Sequence, residues 1–282
     1  MSFIPKQFAV IGHPINHSLS PNIHLLFAKE FDFPIGYERV DIDRESLLRR
    51  LDEFKDKEYS GLNVTLPLKH DAYLLCQELS KKAQLCESVN TISIKNNQLH
   101  GDTTDGIGLI RDLANKGINL NQARCLLVGA GGVANGVMAD IIECSPSELY
   151  LTNRTIEKSI LMESYWKNFS EKNSVLLKVS DIHGADSCHY DLIINATSAG
   201  FSSDVSPIEG KMINKKTFCY DMTYGMETPF MKQALKLNAR ACDGLGMLIE
   251  QAAESFRIWH NLLPQTQNIK NELQLLKPNI NI

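Results

Sequence analysis

The chain has 282 residues, 43% of them hydrophobic and 22% charged, with a formal net charge of −4. That length accommodates about two domains with real cores, and an acidic balance with both signs dispersed argues against nucleic acid as the main partner. The N-terminus has no basic segment followed by an apolar core, and no apolar run nears the roughly 18 residues of a membrane span, so a cytoplasmic protein without a membrane partner is expected.

In chain order, "FAVIG" (Phe8 to Gly12) reads as a short buried strand. "SPNIHLLFAKEF" follows as a helix, with Ser20 as its cap and Pro21 at the first helical position. "IGYERVDI" is strand-like and "ESLLRRLDEF" an amphipathic helix. In "GLNVTLPLKHDAY", Asn63 and Thr65 alternate with Leu62, Val64 and Leu66, as in a strand with one buried face. Pro67 suits the first position of a helix that Ala72, Leu75, Cys76 and Leu79 continue. Lys69 then lies in that helix's first turn, at the positive end of its dipole, where acidic residues are favoured. "SVNTISIKNNQLHGDTTDG" reads as a hairpin turning at Lys95–Gln98, leading to a helix from about Gly106. Strands alternating with helices predict a largely parallel sheet covered on both faces.

A second alternation starts at "ARCLLVGAGGVANGVMADIIE" and runs through "ELYLTNRT", a helix, "VLLKVSD", "YDLIINATSAG" and "TFCYDMTYG". "GLGMLIEQAAESFRIWHN" is an amphipathic helix with Leu248, Ala252, Ser255, Phe256 and Trp259 on one stripe, and the tail carries a last short helix and a frayed end. Two α/β units joined near Asp105–Gly106 result. The seven cysteines (76, 86, 125, 144, 188, 219 and 242) form no Cys-x-x-Cys pair and read as buried small hydrophobes in a reducing compartment. The eight histidines show no metal-ligand spacing, so no metal is expected.

One turn carries a chemical signal of its own. The apolar strand Cys125 to Val128 runs directly into Gly129, Ala130, Gly131, Gly132 and Val133, which open a helix. Glycines there allow a tight turn and close approach of a pyrophosphate to unpaired N–H groups. Ala134 stands at the third glycine position of that fingerprint. In the NAD version an acidic residue ends the second strand; here Asn153, Arg154 and Thr155 do, with Lys158 close behind. Arg154 can pair with a phosphate dianion and stack on adenine, while Thr155 and Lys158 add donors, which favours NADP over NAD.

With the glycine turn and the lysine-bearing strand–helix in hand, the chain resembles the shikimate dehydrogenase family of aromatic-amino-acid and chorismate biosynthesis. The matching segments keep their order over nearly the whole length: "VIGHPINHSLSPNIH", "GLNVTLPLKHDAY", "SVNT", "TTDG", "GAGGV", "NRT", "NATSAG", "YDMTY", "TPF" and "DGLGMLIEQAA". The resemblance implies an oxidoreductase catalysing the reversible NADP-linked reduction of 3-dehydroshikimate to shikimate, working as a monomer or homodimer. It implies a mainly parallel-sheet substrate domain (1–105 plus 241–282, the C-terminal helices returning to it), a Rossmann-type domain (106–240), and a substrate held in the cleft between them. By motif, Lys69 is the proton donor and acceptor and Asp105 its partner. Ser18 and Ser20 match hydroxyls that bind the substrate carboxylate; Thr65, Asn90 and Gln251 match ring-hydroxyl contacts, with Asn63 beside them. Tyr224 also faces substrate in relatives, Met222 and Gly244 line the nicotinamide, and Thr197 lies in a segment that runs past the cofactor. Three departures stand out: Thr103 where relatives usually have Asn, no proline after Tyr224, and Lys158 in place of a frequent arginine.

Reducing a ring ketone creates an alkoxide that needs a proton as hydride arrives, which explains a lysine at position 69. The helix N-terminus and desolvation work against its ammonium form, and the Asp105 carboxylate works for it. Ser20 and Asp105 could instead serve as helix caps, and the polar face of Asn63 and Thr65 could meet solvent. Gln251 flanks an apolar stripe, where a buried amide without partners costs roughly 1–3 kcal/mol, so a ligand is expected there. Two rivals stay open: an NAD-linked quinate/shikimate enzyme, disfavoured by Arg154 and Thr155, and a non-catalytic dinucleotide-binding protein, from which Lys69 or Asp105 would be expected to be lost.

Overall fold

The computed structural model describes residues 5–180, 182, 189–197 and 204–276. The chain divides into two α/β units, one running through Gly108 and resuming at Leu248, the other spanning Leu109–Met247. No described helix is long and apolar enough to cross a membrane.

In the first unit, β1 (Lys6–Gly12) is buried from Phe8 onward and pairs in parallel with β2 (Ile35–Asp41) on one side and β3 (Gly61–Val64) on the other. Helices α1 (Ser20–Glu30) and α2 (Leu47–Asp56) make the connections. The cap position of α1 is Leu19, not Ser20, and no side chain caps it there. Ser18 does the work expected of Ser20, because its Oγ accepts from the Ser20 N–H at 3.3 Å.

All four residues of β3 are buried, so Asn63 meets protein and not solvent. Helix α3 (Lys69–Leu75) begins only at Lys69; Pro67 lies in the preceding turn, which the Leu68 N–H closes onto the Thr65 carbonyl at 3.0 Å. Lys69 therefore takes the first helical place expected of Pro67. The helix also stops earlier than its apolar spacing suggests: Cys76 is extended and Leu79 belongs to the short strand β4 (Glu78–Leu79).

After α4 (Lys81–Cys86), β5 (Thr91–Lys95) and β6 (Gln98–Asp102) form the expected hairpin. Asn96 and Asn97 turn it with φ of 50° and 62°, the left-handed pair of a type I′ turn. The sheet order is β2-β1-β3-β5-β6-β4. Its β2-β1-β3 half is parallel, while β5 pairs antiparallel with both β3 and β6, the latter because a two-residue turn cannot return a strand in parallel. Helix α5 (Asp105–Asn115) follows.

The helix Leu245–His260 contributes Ala252, Ala253, Ser255 and Phe256 to this core at 0% exposure. Glu250, Gln251 and Glu254 are buried too, so its covered surface is broader than one stripe. Phe8 stacks on Trp259 at 4.7 Å, and Gly61 must stay bare, since a Cβ would lie 2.5 Å from the indole nitrogen. His24 stacks on Tyr37 at 4.5 Å, wholly buried. Burial pushes its pKa down to about 3, against a weaker opposing pull from nearby Asn63. Neither ring nitrogen makes a hydrogen bond of good geometry.

The second unit strings β7 (Arg124–Val128), β8 (Glu148–Thr152), β9 (Leu176–Val179), β10 (Leu192–Asn195), β11 (Phe218–Asp221) and β12 (Arg240–Cys242) into one parallel sheet, ordered β12-β11-β10-β7-β8-β9. Strands β7, β10 and β11 read as near-continuous apolar runs, as a sheet covered on both faces demands. The direction of winding reverses between β7 and β10, the switch point of a Rossmann-type fold, where ligands bind outside the carboxyl ends of the strands. Helices α6 (Gly132–Glu143) and α7 (Ile156–Lys172) follow β7 and β8. Cys188 and the part of "NATSAG" beyond Thr197 lie outside the described residues.

Candidate active site

In the first unit, Lys69 Nζ donates to Asp105 Oδ2 at 2.5 Å, with the two residues only 8% and 4% exposed. Each stands at the first position of its helix, α3 and α5. The other oxygen of Asp105 accepts from Asn90 Nδ2 at 2.9 Å, so both oxygens serve side chains. A buried ion pair held this way, with further hydrogen bonds to its acceptor, keeps its geometry without help from solvent.

Asn90 is the next link. Its Nδ2 also donates to Thr104 Oγ1 at 2.9 Å and Gln251 Oε1 at 3.2 Å, while its Oδ1 accepts from the Thr104 N–H and from Thr91 Oγ1, each at 2.9 Å. Gln251 in turn donates to the Leu248 carbonyl at 2.8 Å. Its amide thus has protein partners on both oxygen and nitrogen, so burial alone does not demand a ligand there, while its nitrogen, with two N–H groups, makes only this one bond among the described residues. Asn63 Nδ2 donates to Ser255 Oγ at 3.0 Å, and Asn63 Oδ1 accepts from the Tyr37 hydroxyl at 2.6 Å. Tyr37 is buried, which pushes its pKa well up, and its hydroxyl also meets Ser20. Ser18 Oγ donates to Ser20 Oγ at 3.2 Å, and Arg39 Nε donates to the Ser18 carbonyl at 2.7 Å.

One polar chain thus joins Lys69, Asp105, Asn90, Gln251, Asn63, Ser20 and Ser18. Thr65 is half-buried just past the end of β3, its N–H on the Ile11 carbonyl at 2.9 Å and its methyl against Gly12, where a Cβ would come within 2.5 Å. Tyr224 belongs to the second unit, in the loop after β11. Tyr37, Thr91, Thr104 and Ser255 are the members that sequence reasoning missed. Ser255 had a usable signal, since it follows Gln251 by four residues on one helix and donates back to its carbonyl at 3.0 Å. Beyond this chain, His13 follows β1 in the same "GHPINHS" loop, and its hydrogen bond to Asp41 raises its pKa.

In the second unit the glycine turn follows β7 at the switch point. Gly129 has φ of 110°, a left-handed value that favours glycine, and a Cβ on it would lie 3.2 Å from the Ala196 carbonyl oxygen. Gly131 and Gly132 are different: both are exposed, and a Cβ on either would meet nothing within 4 Å, so their bareness leaves open room at the start of α6. Ala130 and Val133 flank them half-buried, and Ala134 is wholly buried. Across the β8 end, Thr155 occupies the cap position of α7 yet its side chain makes no capping bond. Arg154 and Lys158 are exposed, and neither side chain has a partner among the described residues. Asn153 braces the turn by donating to the Thr155 carbonyl at 2.9 Å. Bare backbone at one helix start and uncommitted cationic and hydroxyl donors at the next fit a dinucleotide carrying an extra phosphate. Met222 and Gly244 sit together, a Cβ on Gly244 falling 2.3 Å from the Met222 carbonyl oxygen, and Thr197 follows β10.

Family models describe the same division of labour. Residues 10–92 match the shikimate dehydrogenase substrate binding domain, 112–213 the shikimate / quinate 5-dehydrogenase model, and 244–274 the shikimate 5'-dehydrogenase C-terminal domain. A shikimate dehydrogenase (NADP(+)) of Janthinobacterium sp. (strain Marseille) is 40% identical over 276 residues, covering 97% of this chain and 99% of that protein. One from Legionella pneumophila (strain Lens) is 39% identical over 95% of this chain and 98% of its own. The crystal structure of shikimate 5-dehydrogenase from Thermus thermophilus in complex with NADP(H) and shikimate superposes with a TM-score of 0.86 at 29% identity, covering 96% of this chain and 99% of that one. Such agreement along the whole length, on top of a lysine–aspartate pair and a glycine turn of the right kind, makes this chain a member of the shikimate dehydrogenase family.

Proposed function

We propose that this protein is an NADP-dependent shikimate dehydrogenase, reducing 3-dehydroshikimate reversibly to shikimate in the route to chorismate and the aromatic amino acids. The observation that carries the chemistry is the buried Lys69–Asp105 pair at 2.5 Å. Bound NADPH supplies the hydride. Lys69 Nζ holds the proton that the ketone oxygen needs on becoming a hydroxyl, and in the reverse direction takes it back. Asp105 keeps that ammonium oriented, and Asn90 keeps Asp105 oriented. Ser18 and Ser20 receive the substrate carboxylate, and Asn63, Thr65, Asn90 and Gln251 its ring hydroxyls, with Tyr224 completing the set. The start of α6 takes the pyrophosphate; Arg154, Thr155 and Lys158 take the 2′-phosphate; Thr197, Met222 and Gly244 take the nicotinamide end.

The same reading makes the protein a cytoplasmic enzyme, monomeric or homodimeric, with no nucleic-acid or membrane partner. A net charge of −4 and six described cysteines outside any disulfide, several of them buried, support it. The test is a coupled assay with NADPH and NADH against 3-dehydroshikimate, shikimate and quinate. NADPH oxidation only with 3-dehydroshikimate is expected; preference for NADH with quinate turnover would move the protein to the quinate branch, and no turnover at high enzyme would leave a binding protein.

A further inference from the structure

Asp221, the last residue of β11, is wholly buried at 0% exposure. Its Oδ2 accepts from Asn195 Nδ2 at 3.0 Å and Thr228 Oγ1 at 2.6 Å, and its Oδ1 from the Thr223 N–H at 2.9 Å. Asn195 ends β10 and is 1% exposed; its own Oδ1 accepts from the Thr197 N–H at 3.1 Å and Thr197 Oγ1 at 2.7 Å. Backbone bonds extend the cluster, from the Met222 N–H to the Asn195 carbonyl at 2.9 Å and from the Gly244 N–H to the Thr223 carbonyl at 3.0 Å. The glycine turn packs on the same place, since a Cβ on Gly129 would lie 3.1 Å from the Thr197 methyl.

One buried carboxyl group thereby fixes the chain as it leaves β10 and β11, and with it Thr197, Met222 and Gly244. Such a group is an inefficient way to gain stability, because well-packed apolar side chains of similar volume serve as well or better. What it provides is direction: three donors converge on two oxygens and admit one arrangement. We propose that Asn195 and Asp221 are positioning residues that hold the nicotinamide-contacting segments in place for hydride transfer, an inference that rests on the cofactor reading above. The adenosine end is held separately, by α6 and Arg154, so the pair acts on the placement of the reacting ring and not on anchoring.

Asp221→Asn forces an amide N–H against one of the converging donors in either orientation. Adding Asn195→Asp restores complementarity, because a carboxylate at 195 still accepts from Thr197 and now accepts from the amide at 221, which can also donate to Thr228 Oγ1. In Asp221→Asn, kcat for NADPH-linked reduction is expected to fall by about tenfold or more, as misplacement of reacting atoms predicts. Affinity for adenosine 2′,5′-bisphosphate, which lacks the nicotinamide, should hold, and the double variant should recover most of kcat. Unchanged kcat in the single variant, no recovery in the double, or bisphosphate affinity falling in step with kcat would each overturn the inference. If Asp221→Asn does not fold, Thr228→Val and Thr228→Ser carry the test: kcat should fall in the first, keep its value in the second, and the bisphosphate should bind both. Wild-type protein that neither binds the bisphosphate nor oxidises NADPH overturns the cofactor reading and this inference with it, whereas an active wild type with an indifferent Asp221→Asn overturns the inference alone.

Discussion

In the first unit the candidate side chains direct their hydrogen bonds at one another, from Lys69 and Asp105 through Asn90 to Gln251 and Asn63, and all are buried. At the β8 end of the second unit, the proposed phosphate ligands Arg154 and Lys158 are exposed and uncommitted, and Gly131 and Gly132 at the start of α6 face open space. The contrast follows from what each has to handle. A proton must be held at one atom and moved along one line, so its donor needs fixed partners in a low-dielectric setting. A phosphate carries its own charge and several oxygens, so helix termini and flexible cations suffice to capture it.

Breaking the fixed half should have the largest effect. Lys69→Ala is expected to lower kcat by about 10²–10⁴-fold, the usual share of a positioned general acid, with a much smaller change in KM for 3-dehydroshikimate. Steady-state kinetics decide it: an affinity loss as large as the rate loss would make Lys69 a substrate anchor instead.

Removing a donor from the open half should act on one cofactor only. Arg154→Ala loses a charge-assisted bond of about 1.5–3 kcal/mol, so KM for NADPH should rise by roughly 10–100-fold while that for NADH barely moves. Equal weakening of both cofactors would mean that Arg154 supports the fold of the turn and not the 2′-phosphate.

The two halves also differ in how far the sequence exposed them. The glycine turn, the β7–α6 and β8–α7 units and the Asn96–Asn97 hairpin were legible because each depends on a few adjacent residues with restricted conformations. The partners of Gln251 were not, because Asn90 and Thr104 lie 161 and 147 positions away in sequence. Pro67 misleads for a different reason: a turn closed by Thr65 and Leu68 delays the helix, and only Lys69 begins it. Ser20 has the residue type of a cap, although Ser18 supplies the bond.

The buried first unit should further respond to acid. His24 is neutral in the fold, its pKa pushed down to about 3 by burial, while in the unfolded chain it titrates near its ordinary 6.5. The unfolded chain therefore binds the extra proton, and stability is lost as pH falls from 6.5 toward 3. At pH 5 this single residue should cost about 2 kcal/mol relative to neutral pH, before any contribution from other groups. Urea titrations at pH 7.5 and 5 should show the drop, and His24→Phe should shrink it; an unchanged pH slope in that variant would assign the acid sensitivity elsewhere.

The smallest expected effect tests whether the polar chain is rigid because it is redundant. Ser255 Oγ meets Asn63, Thr91, Thr104 and the Gln251 carbonyl, yet the Asn63, Thr91 and Thr104 side chains each have at least one further partner. Ser255→Ala therefore strands none of these side chains completely, and the cost should be that of one neutral hydrogen bond, about 0.5–1.5 kcal/mol. Spread over several ligands, that should raise KM for 3-dehydroshikimate by only about 2–10-fold and leave kcat nearly unchanged, because Lys69 and Asp105 are held through Asn90 and not through Ser255. A kcat loss approaching that of Lys69→Ala would show that the network behaves as one cooperative unit, in which no member is spare.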